Sequence, residues 1–187
     1  MDPPTFRGRS APADLVRARH GSVLSRGLVL KTDQRVRASL KERLADPQLQ
    51  DAPFFREAHY NLGVYGVAQP SILGLKTVLT LLDCAPGDSN RCVWVCTREE
   101  PVVYVGDRPF VLREAHLPTQ TFALSDRAAG LEAVEKRLKN DVLDEATECN
   151  GLVLVHEEIL TDDGVKLVPT WVAVQRGDVR TVREVWA

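Results

Sequence analysis

The sequence lacks long apolar runs, and no stretch approaches the roughly 20 residues that a membrane-spanning helix needs. It also lacks the apolar core of a secretory signal peptide near its first residue. We therefore expect a cytoplasmic protein without a transmembrane segment. Cysteine is scarce, and in the cytoplasm the four cysteines are expected to be reduced thiols: Cys84, Cys92, Cys96 and Cys149.

Familiar cofactor and metal motifs are missing as well. The chain contains no Walker loop, no Gly-x-Gly-x-x-Gly, no Gly-x-Ser-x-Gly and no His-Glu-x-x-His. Cys92 and Cys96 have no further Cys or His at the spacing of zinc ligands. We therefore expect neither a cofactor nor a bound metal.

The formal net charge of −2 gives no sign of a nucleic-acid partner, but the charge is unevenly distributed. Residues 1–43 contain ten Lys or Arg and four Asp or Glu, a formal charge of +6, and the remaining residues carry −8. A basic segment of this kind is either a solvated face or a contact for an anionic, phosphorylated ligand. Lys31 lies at the end of a predicted strand in this segment. We expect it either to lie in a turn or to contact such a ligand.

Hydrophobic periodicity divides the chain into a basic tail, residues 1–19, which we expect to be disordered, and a domain, residues 20–187. Helical spacing predicts helices over residues 36–44, 72–83 and 127–148, the last capped by Ser125. Uninterrupted apolar character predicts central, largely parallel strands over residues 93–97 and 152–155. Residues 102–105 and 110–112 flank a turn at Gly106 and should form a hairpin. The alternation of predicted strands and helices along the chain indicates an α/β fold with a mixed, partly parallel sheet flanked by helices.

Cys92 and Arg98 match Cys-x5-Arg, the spacing of cysteine-dependent phosphatases. In those enzymes a glycine-containing loop wraps the phosphate and a helix N-terminus follows. Here the five intervening residues contain no glycine, and Glu99, Glu100 and Pro101 follow Arg98. We therefore expect a core strand here, with Cys92 and Cys96 on one face, and we identify no catalytic residue.

Two predicted strand ends carry polar residues that could contact a ligand, because ligands collect at the carboxyl ends of strands in open α/β sheets. Arg98 and Glu100 end one strand, either as the wall of an anion crevice or as an ion pair that fixes the turn. His156 ends the other, where it is either a ligand contact or a hydrogen-bonded structural residue.

Several runs, in order along residues 20–187, resemble the paladin family, whose members are similar to protein-tyrosine-phosphatase-like phytases. They are GSVLSRGLVLKTD at residues 21–33, APFFR at 52–56, VYGVAQPS at 64–71 and VWVCTREEPVVY at 93–104. The resemblance implies the N-terminal part of a cysteine-phosphatase-like domain, incomplete in this chain. The family's substrates would be inositol phosphates or phosphoproteins.

In that family the phosphate loop, Cys-x-Met-Gly-x-Gly-Arg, and the general-acid loop follow the region matched here. The intact enzyme would form a phosphocysteine intermediate. The resemblance implies that Arg98 and Glu100 lie beside the substrate and that these 187 residues are inactive alone. It also implies uncovered apolar surface, so we expect self-association. The alternative is a non-catalytic, pseudophosphatase-like binding or regulatory module.

Overall fold

The computed structural model describes residues 11–32, 49, 51–121, 128–161 and 164–187. The predicted helix at residues 36–44 and the predicted cap Ser125 lie outside the described residues. Eight strands, four α-helices and a short 3-10 helix (Arg176–Asp178) are described. The strands are β1 (Leu28–Thr32), β2 (Arg56–Glu57), β3 (Tyr65–Gly66), β4 (Val102–Val105), β5 (Arg108–Glu114), β6 (Leu152–Thr161), β7 (Gly164–Ala173) and β8 (Val179–Thr181). The helices are α1 (Pro12–Ala18), α2 (Ile72–Leu81), α3 (Ala128–Glu148) and α4 (Val182–Trp186).

Six of these strands form one sheet in the order β7-β6-β1-β5-β4-β8. The pair of β1 and β6 is parallel, and the other four pairs are antiparallel. The predicted mixed, partly parallel sheet flanked by helices is therefore confirmed. β2 and β3 form a separate two-stranded ladder.

The predicted hairpin is confirmed as β4 and β5. Val105 pairs with Arg108, which leaves Gly106 and Asp107 as a two-residue turn. Gly106 has φ = 63°, in the left-handed region where a residue without Cβ is least strained.

The long helix α3 covers one face of the sheet, as the apolar stripe predicts. Leu138 and Val142 are fully buried against apolar side chains of five strands. These strand residues are Leu30, Val103, Val105, Phe110, Leu112, Val153, Val155 and Val179. Alternation along each strand sends the intervening residues to the opposite face.

Residues 152–155 form the first half of β6, which lies between β7 and β1. Val153, Leu154 and Val155 are fully buried, so the prediction of a central strand is confirmed. Its parallel neighbour is β1 alone, because β7 runs antiparallel to it.

The prediction of a central strand at residues 93–97 is wrong in this structure. These residues form no regular element, and Val93 and Val95 are 90% and 74% exposed. Cys92 and Cys96 are also exposed and do not belong to the core. A strand needs neighbours that satisfy its backbone groups, and β8 occupies the side of β4 that is not paired with β5.

The predicted disordered tail overlaps a described helix. α1 spans Pro12–Ala18, with Pro12 at its start, where the missing N–H costs nothing. Val16 packs with Val29 and Leu154 on the face opposite α3. The segment 11–19 is therefore part of the packed structure, and residues 1–10 lie outside the described residues. Among the described helices, none combines the length and apolar character needed to cross a bilayer.

Candidate functional site

Strand register places three of the relevant side chains on the sheet face opposite α3. Arg113 pairs with Val29, and two residues further along β1 Lys31 pairs with Val111. Lys31 also pairs with His156 across the parallel β1–β6 ladder. Arg113 and Lys31 are therefore diagonal neighbours, about 7–8 Å apart along the sheet. The four residues that the sequence predicts as ligand contacts fall into two groups. Arg98 and Glu100 lie beside Arg113, and Lys31 lies beside His156.

The first group, here called the guanidinium cluster, consists of Arg98, Glu100 and Arg113. Arg98 Nη2 donates to Glu100 Oε1 at 2.7 Å, and Glu100 Oε2 pairs with Arg113 Nη1. Glu100 and Arg113 are only 8% and 6% exposed. Arg113 also donates to the Leu112 carbonyl oxygen at 2.8 Å. One carboxylate is thus shared by two guanidinium groups.

A fourth ionisable residue, Glu135 of α3, lies next to this cluster and interacts with Arg98. Burial raises the pKa of Glu135 to about 7, although it accepts a hydrogen bond from the Val102 N–H at 3.1 Å. Its carboxyl group therefore carries only part of a negative charge at neutral pH. Within the guanidinium cluster two guanidinium groups share one carboxylate, so these three side chains together carry a net positive charge.

Arg98 lies at the wall of an open cavity of about 1330 Å³. The other walls are residues 54–56 and 63–70, the buried side of α2 around Val78, and residues 90–97. Arg98 is 19% exposed and is the member of the guanidinium cluster that lines the cavity. A guanidinium at a positive wall is suited to planar, two-point contact with phosphate or carboxylate oxygens.

The second group lies at the end of β1 and in the middle of β6, so the prediction that His156 ends its strand is wrong: β6 continues to Thr161 because β7 pairs with it along its whole length. Lys31 Nζ and Glu158 Oε1 form an ion pair at 2.5 Å, with both side chains largely buried. The Glu158 N–H donates to Thr32 Oγ1 at 3.2 Å. The positive charge of Lys31 is therefore balanced within the described structure.

His156 lies beside Lys31 in a desolvated position. Burial, and then the nearby Arg19 guanidinium, lower the pKa of His156 to about 4. His156 Nδ1 is buried and has no hydrogen-bond partner among the described residues. At neutral pH this imidazole is uncharged.

Two buried acids on α3 were not identified from the sequence. Glu135 and Glu145 fall on the same helical stripe as Leu138 and Val142, with spacings of 3, 4 and 3 residues. An acid on an apolar stripe is the signal that could have found them, because a buried carboxylate requires partners. Glu145 pairs with Arg19, a basic residue that the sequence placed in the tail.

In the described part of the chain, no group of three or more His, Cys, Asp or Glu is arranged to hold a metal ion. The expected absence of a metal therefore stays a prediction for the chain as a whole.

In comparison with known proteins, the matching family model covers the residues of the guanidinium cluster. The family model of PTP-like phytases, described by the words "inositol hexakisphosphate", matches residues 95–187. Paladin from Gallus gallus is 30% identical over 112 residues, and paladin from Homo sapiens is 34% identical over 101 residues. These matches support a paladin and PTP-like phytase family assignment for part of the chain, and with it a phosphatase-like domain.

The coverage of these matches is unequal. The Gallus match covers 58% of this chain and 13% of the relative, and the human match covers 50% and 11%. Paladin from Xenopus tropicalis is 44% identical over 54 residues, 29% of this chain and 6% of the relative. The chain thus spans a small part of the curated relatives that it matches. No solved structure matches it.

Proposed function

We propose that the guanidinium cluster binds a phosphoryl group of an inositol phosphate or a phosphoprotein, within a cysteine-phosphatase-like domain in the cytoplasm. The observation that carries the proposal is the sharing of Glu100 by Arg98 and Arg113 at the wall of the cavity. This arrangement leaves an excess positive charge where a ligand can enter. Arg98 contacts the ligand, and Glu100 positions Arg98.

The role of Lys31 and His156 as ligand contacts stays a prediction. They lie on the same sheet face as Arg113, but Lys31 is paired with Glu158 and His156 is uncharged at neutral pH. For Lys31 to contact the same ligand, its ion pair with Glu158 would have to open. Arg98 is therefore the first residue to test.

The binding test uses isothermal titration calorimetry with inositol hexakisphosphate as the probe. Arg98→Ala should weaken binding at least about tenfold, the effect of losing roughly 1.4 kcal/mol of interaction. Arg108→Ala is the matched control, because Arg108 pairs with Glu157 and packs over Phe110 on the opposite sheet face. Equal losses in the two variants would contradict the proposal. Arg98→Lys, which retains the charge but loses the planar donor pair, should bind with intermediate affinity.

We propose further that these 187 residues bind without hydrolysing the ligand. The Cys92 to Arg98 segment has no regular secondary structure, contains no glycine and is followed by strand β4 rather than a helix, so it lacks the features of a loop that wraps a phosphate in backbone N–H groups. The test is release of inorganic phosphate from inositol hexakisphosphate and from an aryl phosphate, and none is expected above background. Turnover that disappears in Cys92→Ser would show that Cys92 is a nucleophile and would overturn this proposal.

The second candidate function is a non-catalytic, pseudophosphatase-like binding module. The hydrogen bond from Arg98 to Glu100 favours this binding module, because Arg98 is paired with a carboxylate rather than placed in a phosphate loop around Cys92. Binding of inositol hexakisphosphate without turnover supports this candidate for the residues present. Turnover would exclude it.

A further inference from the structure

Two cysteines that are separated by a surface loop lie side by side next to the cavity. Cys84 follows the end of α2, and its thiol donates to the Leu82 carbonyl oxygen at 3.3 Å. Its side chain interacts directly with that of Cys92. Both cysteines line the cavity, and both are thiols in this structure.

Hydrogen bonds across the intervening loop hold this arrangement in place. The Asn90 N–H donates to the Asp83 carbonyl oxygen at 3.2 Å, and Asn90 Nδ2 donates to the Leu82 carbonyl oxygen at 3.4 Å. Inside the loop, the Ala85 N–H donates to Asp88 Oδ2 at 2.8 Å. The chain therefore returns to the end of α2 immediately before Cys92. Two cysteines can be bridged only when their backbones approach in this way.

The two thiols differ in their surroundings. Cys92 is exposed, whereas Cys84 is partly buried. Burial raises the pKa of the Cys84 thiol, and the adjacent Cys92 raises it further. A small oxidant from solvent therefore meets Cys92 first, and Cys84 is held ready as its partner.

We propose that Cys84 and Cys92 form a reversible disulfide when the chain meets hydrogen peroxide. The Cys92 thiol loses its proton, its thiolate attacks one peroxide oxygen, and the O–O bond breaks to give a sulfenic acid and hydroxide, which takes up the released proton as the first water. Cys84 sulfur then attacks Cys92 sulfur, the S–S bond forms, and the S–O bond breaks. The Cys84 proton leaves with the departing hydroxide as a second water. Two thiols are oxidised and one peroxide is reduced, and a dithiol reverses the reaction.

The bond would change the wall of the cavity. In the thiol state, residues 91–98 contain no regular secondary structure. The disulfide would fasten the first part of this segment to the end of α2. Arg98 lies at the other end of the same segment, so oxidation would restrict the segment that carries it.

Tryptic mapping tests the bond directly, because Arg91 separates the two cysteines. Cleavage after Lys76, Arg91 and Arg98 places Cys84 in the peptide 77–91 and Cys92 in the peptide 92–98. The folded 187-residue chain is treated with stoichiometric peroxide, blocked with an alkylating agent and digested. The expected result is a 77–91/92–98 linked pair that separates on reduction, with a loss of two of the four thiols.

Variants decide which sulfur atoms are joined. Cys96→Ser and Cys149→Ser should leave the linked pair and its yield unchanged, and Cys84→Ser and Cys92→Ser should each abolish it. The same treatment in concentrated guanidinium chloride should lower the fraction of this pair at least severalfold, because the fold no longer holds the loop closed. Loss of the linked pair in Cys96→Ser, an equal yield in denaturant, or no disulfide in the folded chain would overturn the proposal.

Discussion

Arg19 and Glu145 form a two-point ion pair inside the protein, with Arg19 Nε and Nη2 at 2.7 and 3.0 Å from the two carboxylate oxygens. The pair lies beside the first residues of β1 and β6 and makes hydrogen bonds to their backbones. Arg19 donates to the carbonyl oxygens of Leu28 and Leu154, both at 2.7 Å, and Glu145 accepts from the Leu154 N–H at 3.0 Å. It therefore satisfies strand backbone groups that precede the first β1–β6 pair, Leu30 with Val155.

Removal of Arg19 should strongly destabilise the fold. Arg19→Ala leaves the buried Glu145 carboxylate without its countercharge and removes a donor from the Leu28 and Leu154 carbonyl oxygens, and we expect a loss of about 3–5 kcal/mol in the free energy of unfolding. Arg17→Ala is the matched control, because its pair with Asp14 is exposed and should contribute about 0–1 kcal/mol. Denaturant titrations measure both. Similar losses for the two variants would show that the buried pair is dispensable.

Glu135 should make the protein less stable as the pH rises from about 4.5 to about 7. Burial raises its folded-state pKa to about 7 from its usual value of 4.5, so the folded state holds the proton more tightly than the unfolded state. Its favourable contribution is complete below the unfolded pKa and is lost as the pH rises through the folded pKa. The slope is at most about 1.4 kcal/mol per pH unit.

Glu135→Gln should remove this slope, and Glu57→Gln, at an exposed position on β2, should leave it unchanged. Unfolding free energies at several pH values measure the difference between each variant and the parent chain. A Glu135→Gln curve parallel to that of the parent chain would refute the assignment.

His156 should have the opposite effect in an overlapping range. Burial lowers its folded-state pKa to about 4 from 6.5, so the unfolded state binds the proton more tightly. The resulting stability is complete above pH 6.5 and is lost as the pH falls towards 4. His156→Asn should therefore unmask the decline with rising pH that Glu135 causes. The same titrations test this, with the exposed His116→Asn as control; a parent-like curve for His156→Asn would contradict it.

Exposed apolar residues around the cavity should cause the chain to self-associate. Val93, Val95, Tyr60 and Leu62 are 90%, 74%, 79% and 64% exposed. Sedimentation velocity should show a larger species that dissociates in the double variant Val93→Lys and Val95→Lys. Leu73→Lys, at an exposed position on α2, is the control and should not change the distribution. A parent chain that sediments as a monomer at all concentrations would refute the prediction.

The long edge strand β7 is a less suitable site for that association. Pro169 lies opposite His156 in the middle of the strand and lacks the N–H that an added strand would bind. We therefore expect association through the apolar residues near the cavity rather than by extension of the sheet.

Local patterns in the sequence were sufficient for several elements. The apolar stripe through Leu138 and Val142 predicted α3, the turn at Gly106 predicted the β4–β5 hairpin, and the apolar run at residues 152–155 predicted a buried strand. Each depends on periodicity or turn chemistry within a few residues. The pairing of Arg98 with Glu100 was also one of the two alternatives that the sequence allowed.

Contacts between distant segments decided the rest. Residues 93–97 have the apolar character of a strand, but whether they form one depends on a neighbouring strand, and β8 lies beside β4 instead. The segment that contains α1 has the composition of a tail, yet it is packed because Arg19 meets Glu145, 126 residues away. The proximity of Cys84 and Cys92 depends on the closed loop between them. Sequence alone thus determined the elements whose causes are local, and tertiary structure decided which charges are buried and which surfaces are covered, because both depend on partners far away in the chain.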